Sequence, residues 1–285
     1  MANVVKSWHS YQVFCVFIQL IFPPMHHSSP QPFLPQALVL CAGRGERMRP
    51  LSDHTPKPLL SVNGKPLITW HLEHLAHAGM RQVLINTAWL GSQIPEHLAS
   101  HAPANLQLGY SREDLDFGGA LETAGGIVRS LPRLADPFWV MAGDVYMPDF
   151  NFSTDLFTAF QRSSHLAHVW LVPNPAHHPK GDFGISSDGL ALCADDDPMS
   201  ECSHQERLTK FTFSTVALYK KEFFTQAWCD IPLGNPLGIK APVAPMLKEA
   251  MRQGRVSASL YNGLWCDVGT PERLAELNAQ VAGLK

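Results

Sequence analysis

Net charge is nearly absent from this chain, and with it goes the simplest reason to expect a polyanionic macromolecule as partner. Among 285 residues, 22 Lys and Arg face 25 Asp and Glu, for a formal net charge of -3. Neither nucleic acid nor a membrane surface is therefore expected to bind, and any polyanion must be held locally. Cysteine pairs are missing as well. Positions 15, 41, 193, 202, 229 and 266 form no CxxC and no zinc or disulfide-scaffold spacing, which points to a reducing cytoplasm. No apolar run reaches membrane length. The most apolar stretch near the start, residues 13–22 (VFCVFIQLIF), imitates a signal-peptide core behind Lys6, but it is too short to span a bilayer and no small-residue cleavage site follows. A proline-rich tract, residues 23–32, comes next and is expected to stay irregular. Residues 1–35 thus read as an extension outside the fold, with Met25 a candidate internal start, and residues 36–285 as the folded domain, without internal repeat.

What is present is an alternation of strand and helix patterns. Residues 36–41 end a short apolar run in glycine-rich chain, the profile of a central parallel strand. Prolines 50, 56 and 58 forbid a long helix directly behind it. A helix is predicted from Pro66, with Ile68, Leu72, Leu75 and Ala76 on one face and Gly79 as its stop. Strands at 81–87, 105–110 and 137–142 and helices at 91–101 and 122–131 follow. The pattern predicts an α/β fold, a Rossmann-like mixed and mainly parallel sheet flanked by helices, with the active site at the carboxyl ends of strands.

The second half is more mixed. Strands are predicted at 168–173 and 208–219, a hairpin at 182–185 and 190–193, and a second hairpin at 257–261 and 264–267 turning on Asn262-Gly263. A last helix opens at Thr270-Pro271, an N-cap followed by proline. His71, His74 and His77 are expected on a solvated helix face, since their spacing drifts around the helix and does not converge on a metal. Cys41 reads as a small buried residue, and residues 201–207 as a surface connection.

Residues 43–48 (GRGERM) carry the chemistry, and two familiar phosphate loops are excluded there. A Walker A loop needs Gly-Lys-Ser/Thr, which is absent. A dinucleotide fingerprint needs a third glycine where Met48 stands, a following helix, and an acid ending the second strand, which instead ends Ile85-Asn86-Thr87. The remaining reading uses the loop itself: Gly43 and Gly45 let backbone N–H groups approach a polyphosphate, with Arg44, Arg47, Arg49 and Lys57 nearby. A tight turn rimmed by solvated arginines is the competing reading.

The blocks LCAGRGERMRPL (40–51), TPKPL (55–59), GKPLI (64–68), GDV (143–145) and WCDVGT (265–270) resemble, in this order, the signature of the sugar-1-phosphate nucleotidyltransferases. The likeness runs from about residue 36 to the end. Within that family NTAWL (86–90), LETAGG (121–126) and NPAHHPKGDF (174–183) resemble the members that act on N-acetylmuramate α-1-phosphate. Four positions depart from the pattern: Cys41 for alanine, Ala142 for asparagine, Ala124 for glycine and Thr215 for glycine. Ala142 matters most, because a missing side-chain amide removes a hydrogen bond to the sugar and loosens specificity.

The resemblance implies a nucleotidyltransferase fold of the GT-A-like type, UTP and a sugar 1-phosphate as small-molecule partners, and magnesium as cofactor; the sequence does not display the oligomeric state, and a monomer is the plain expectation. It makes Arg47 and Lys57 catalytic and assigns nucleotide binding to Ala42, Gly43, Gly45, Glu46, Arg47, Lys57 and Gly125. Sugar-phosphate binding falls to Ala142, His178, Lys180 and Asp182, with His177 a further source of charge for the lactyl carboxylate; a polar exposed loop remains the plain alternative for 177–180. Asp144 and Asp267 become the Mg2+ ligands, a pair of carboxylates being enough for that ion, although either alone is also an ordinary loop-capping aspartate. Transfer of another nucleotide to glucose or mannose 1-phosphate, and a catalytically silent nucleotide-sugar-binding relative, remain open alternatives.

Overall fold

The apolar runs become strands of one central sheet, as their length and β-branched content require. The computed structural model describes residues 36–193 and 209–283. The readings for 1–35 and 201–207 lie outside the described residues. The chain enters through β1 (Ala37–Cys41), then takes three single 3-10 turns at Glu46–Met48, Leu51–Asp53 and Lys57–Leu59 before a small pair, β2 (Ser61–Val62) and β3 (Lys65–Pro66). There follow α1 (Leu67–His77), β4 (Gln82–Thr87), α2 (Gln93–His101), β5 (Gln107–Arg112), α3 (Glu113–Phe117), α4 (Glu122–Ser130), β6 (Phe138–Ala142), β7 (Val145–Tyr146) and α5 (Thr154–Arg162). The remainder comprises β8 (Ala167–Val172), β9 (Gly184–Ile185), β10 (Ala191–Leu192), β11 (Thr212–Tyr219), α6 (Ala244–Arg252), β12 (Val256–Leu260), β13 (Cys266–Asp267) and α7 (Pro271–Ala282).

Seven strands form the sheet in the order β12-β8-β11-β6-β1-β4-β5. β1 runs parallel to β4 and β6, β4 to β5, and β12 to β8, while β11 is antiparallel to β6 and β8. The sheet is thus mixed and mainly parallel. Both faces are covered: Leu38 packs with Ile127 and Val128 of α4, whereas Val39 packs with Ile68, Leu72 and Leu75 of α1. Burial on both faces explains why β1 reads as continuously apolar. No helix among the described residues is long and apolar enough to cross a membrane.

Two expectations are corrected. Asn262-Gly263 does not turn a hairpin: β12 pairs parallel with β8, and β13 pairs antiparallel with β7, far back in the sequence. Long-range pairing outweighs a local turn signal, because each flanking strand finds a buried partner elsewhere. His71 is not solvated. It lies four residues after Leu67 and four before Leu75, on the buried stripe of α1, and its Nε2 hydrogen-bonds the Val145 carbonyl at 2.8 Å. Burial holds its imidazole neutral, with a pKa lowered to about 4. His74 is half-buried and His77 exposed, as the drift of their spacing requires. Helices α3, α5 and α6 carry no expectation from the sequence; α5 is capped by Ser153, whose hydroxyl accepts from the Leu156 N–H.

Candidate active site

The carboxyl ends of β1 and β6 open into a cavity of about 360 Å³, lined by Leu40, Cys41, Gly43, Gly45, Glu46, Arg47, Lys57, Pro58, Asp144 and Gly269. Its floor is the glycine loop. Gly45 has a φ of 65°, where glycine bears no steric cost, and its carbonyl accepts from the Met48 N–H and the Ser52 hydroxyl at 2.9 and 2.7 Å. The prolines then keep the chain in short 3-10 turns instead of a helix, which folds Lys57 back over the loop within fourteen residues of Gly43 (57 − 43).

The cations of this loop divide into two groups. Arg44 and Arg49 turn away from the cavity and share Asp53, at 3.2 and 2.8 Å, and Arg44 also stacks on the Trp89 ring, 3.4 Å from its centroid. Hydrogen bonding by Arg49 is the main reason that the Asp53 carboxyl is held below the usual range. Asp53, in the second 3-10 turn, is what separates them: of the four cations near the loop, these two are held by an acid of the loop itself. Arg47 and Lys57 do line the cavity. Arg47 is exposed and makes no hydrogen bond or ion pair among the described residues, whereas Lys57 is largely buried and pairs with Asp144 at 2.5 Å.

The acids converge through tertiary pairing. Asp267 lies opposite Val145 in the β7–β13 ladder, and the Val268 N–H donates to the Asp144 carbonyl at 3.1 Å, so the two aspartates are neighbours despite 123 positions of separation (267 − 144). Each already holds a cation. Arg273, at the start of α7, donates to Asp267 Oδ2 at 2.6 Å, and His177 Nε2 lies 2.8 Å from Oδ1. That last contact lacks hydrogen-bond geometry, for Oδ1 is buried without a hydrogen-bond partner.

The remaining residues named from sequence take different places. Ala42 is buried beneath the loop. Gly125 is not among the residues lining the cavity; it is buried in α4, where a Cβ would stand 2.4 Å from the Ile239 carbonyl, so it packs against the segment around Asn235. Ala142 ends β6 opposite Leu40 of β1. Asp182 accepts from the Phe213 N–H at 2.8 Å and hydrogen-bonds His178 at 3.1 Å, and Lys180 is exposed. Cys41 is buried, its thiol pushed well up by burial and by Asp144, and so is no nucleophile.

Three groups escaped the sequence reading. Arg273 is one. Glu113, fully buried and opening α3 directly after β5, accepts from the Leu121 N–H and Asn86 Nδ2, each at 2.8 Å, while Asn86 Oδ1 accepts from the Cys41 N–H at 2.7 Å. This chain of bonds locks the carboxyl ends of β1, β4 and β5 together; burial raises the Glu113 pKa. Gly126 is required there, since a Cβ would stand 2.6 Å from Glu113 Oε1. Trp89 is the third, and its only signal was its place in a block that also contains Asn86.

The pattern of the nucleotidyl transferase family matches residues 36–283. The chain belongs to that family. It is 44% identical over 252 residues, 88% of this chain and 100% of the relative, to an N-acetylmuramate α-1-phosphate uridylyltransferase of Neisseria meningitidis. A protein of the same name from Caulobacter vibrioides is 28% identical, covering 86% of this chain and 96% of its own. Among solved structures HddC from Yersinia pseudotuberculosis superposes with a TM-score of 0.63 at 19% identity, over 87% of this chain and 100% of that one, which shows the fold.

Proposed function

We propose that this nucleotidyltransferase moves a uridylyl group from UTP to N-acetylmuramate α-1-phosphate, releasing pyrophosphate and giving UDP-N-acetylmuramate. The observation that carries the reading is that Arg47, Lys57 and Asp144 line one cavity at the glycine loop while the β7–β13 ladder brings Asp267 beside Asp144, together with full-length likeness to a relative of that name.

The acceptor phosphate is a monoester whose second pKa is about 6, so its oxygen is ionised near neutral pH and no side chain need remove a proton. The chain's work is then to position and to neutralise. Backbone at Gly43 and Gly45 leaves room for the triphosphate. Arg47, exposed and uncommitted, takes the departing pyrophosphate. Lys57 stands where it can leave Asp144 for the α-phosphate. Asp182, on the chain that follows β8, accepts from sugar hydroxyls, and His178 orients it.

The acids fit a magnesium ion. Two aspartates brought side by side by the β7–β13 ladder suit its preference for a few hard oxygens, and the buried Oδ1 of Asp267 accepts no hydrogen bond. When bound, the ion offsets charge on the phosphate oxygens. Asp144 and Asp267, which pair with Lys57 and Arg273, would hold it.

A broader acceptor range is the second reading, favoured by Ala142, whose side chain offers no hydrogen bond to a sugar. A matrix of UTP, dTTP and GTP against N-acetylmuramate, glucose and mannose 1-phosphates, scored by pyrophosphate release with and without Mg2+, tests both. Highest turnover is expected with UTP and N-acetylmuramate α-1-phosphate, and only with the metal. Best turnover with GTP and mannose 1-phosphate sinks the assignment.

A further inference from the structure

Thr215 is a β-branched residue with a φ of 69°, a backbone conformation that such side chains avoid. It lies in an irregularity of β11, which advances from Phe213 to Ala217 while its partner β8 advances only from Leu171 to Val169. Its hydroxyl is buried and has no hydrogen-bond partner. Backbone strain and an orphaned hydroxyl are two separate costs falling on one residue at the active-site end of the sheet. Violations of that kind concentrate where function requires them.

The residues beside Thr215 are tied to both parts of the site. The Phe213 N–H donates to Asp182 Oδ2 at 2.8 Å, and Trp265 Nε1, two residues ahead of Asp267, donates to the Ser214 carbonyl at 3.2 Å. Across the sheet the last β6–β11 pair in this direction is Val140 with Ala217, so two residues farther along each strand stand Ala142 and Thr215. These are two of the four departures from the family pattern: one position loses a polar side chain and the other gains one.

We propose that Thr215 is a specificity-determining residue for the acceptor sugar phosphate. Its hydroxyl supplies from β11 the polar group that Ala142 does not offer from β6, and its bulge holds Asp182 in place for the same sugar. The inference rests on the transferase reading above, though not on which sugar is preferred.

The test uses the full chain as wild type, Thr215→Gly, Thr215→Val, Thr215→Ser and the double variant Thr215→Gly/Ala142→Asn. Pyrophosphate release is followed while acceptor and UTP are varied separately, with the acceptor that wild type uses best; a wrong assignment of the sugar therefore appears in wild type, and the role of Thr215 in the variants. Thr215→Val and Thr215→Gly are expected to raise the acceptor KM about tenfold or more, with the UTP KM within about twofold, as loss of one polar contact to a substrate does. Thr215→Ser is expected to stay near wild type, and Ala142→Asn to recover most of what Thr215→Gly loses. Thr215→Gly should also melt at a higher temperature, since glycine takes a positive φ without strain, which separates lost affinity from misfolding. An acceptor KM unchanged in both the Val and Gly variants, or an equal rise for both substrates, overturns the proposal.

Discussion

The two sides of the proposed site, one for the triphosphate and one for the sugar, are built by different means. On the first, Gly43, Gly45, Arg47, Ser52 and Lys57 lie within fifteen consecutive residues (43 to 57), and the loop closes on itself through bonds to the Gly45 carbonyl. On the second, Asp182 depends on the Phe213 N–H, a partner far off in sequence. The contrast teaches that a local motif can fix the geometry of the proposed phosphate loop, whereas the proposed sugar side hangs on how β8 and β11 are registered. A change to the first side should therefore strike turnover with any acceptor, and a change to the second should discriminate among acceptors.

Lys57→Ala offers the hardest blow to that contrast. Removing one preorganised cation should lower kcat by on the order of 10²–10³, about 3 kcal/mol, for every acceptor that wild type accepts. A loss confined to one sugar would erase the distinction between the two sides.

Acidification addresses both sides through their foundations. His71 bonds β7 beneath the triphosphate side, and His168, whose Nδ1 hydrogen-bonds Ser257 at 2.8 Å, links β8 to β12 beneath the sugar side. Both are buried, and burial lowers each pKa to about 4. Their folded values lie below the unfolded value of about 6.5, so the stability they contribute is complete above pH 6.5 and drains away as pH falls toward 4, by about 3 kcal/mol each. Urea denaturation between pH 7.5 and 4.5 should show this decline. Replacing His168 by leucine should flatten only its share; a curve as steep as wild type contradicts the buried neutral imidazole.

Asp182→Asn keeps the shape and the acceptor oxygen for Phe213 but removes the charge. The acceptor KM should rise about tenfold, with kcat and the UTP KM within about threefold, as for one weakened charged hydrogen bond. Equal effects on both substrates would merge the two sides. The smallest effect distinguishes Arg47 from Arg49. Arg49→Ala breaks an exposed pair with Asp53 and should leave both stability and pyrophosphate release nearly unchanged, whereas Arg47→Ala should slow release for every acceptor.

The alternation of strands and helices was legible because each buried strand carries an unbroken apolar run, and α1 was legible from its apolar stripe with Gly79 as stop. The glycine loop was legible for a similar reason: its geometry is set by residues close in the chain. Elsewhere the signals misled or were silent. Asn262-Gly263 promised a hairpin that the ladder between β13 and β7 denied, and the spacing of three histidines did not reveal that His71 alone meets the core. Glu113 and Arg273 gave no signal because a charged residue looks the same in sequence whether it faces water or a buried partner.

By itself, then, the sequence determined the sheet class, the tight glycine turn after β1 and the family, since all three follow from short-range steric and apolar patterns. The tertiary structure alone decided that Asp144 and Asp267 stand side by side, that Asp53 withdraws Arg44 and Arg49 while Arg47 and Lys57 face the cavity, and that Thr215 is bent into a positive φ beside Asp182. Those outcomes depend on which distant strands pair and in what register, and pairing energy is released only when the whole sheet has formed.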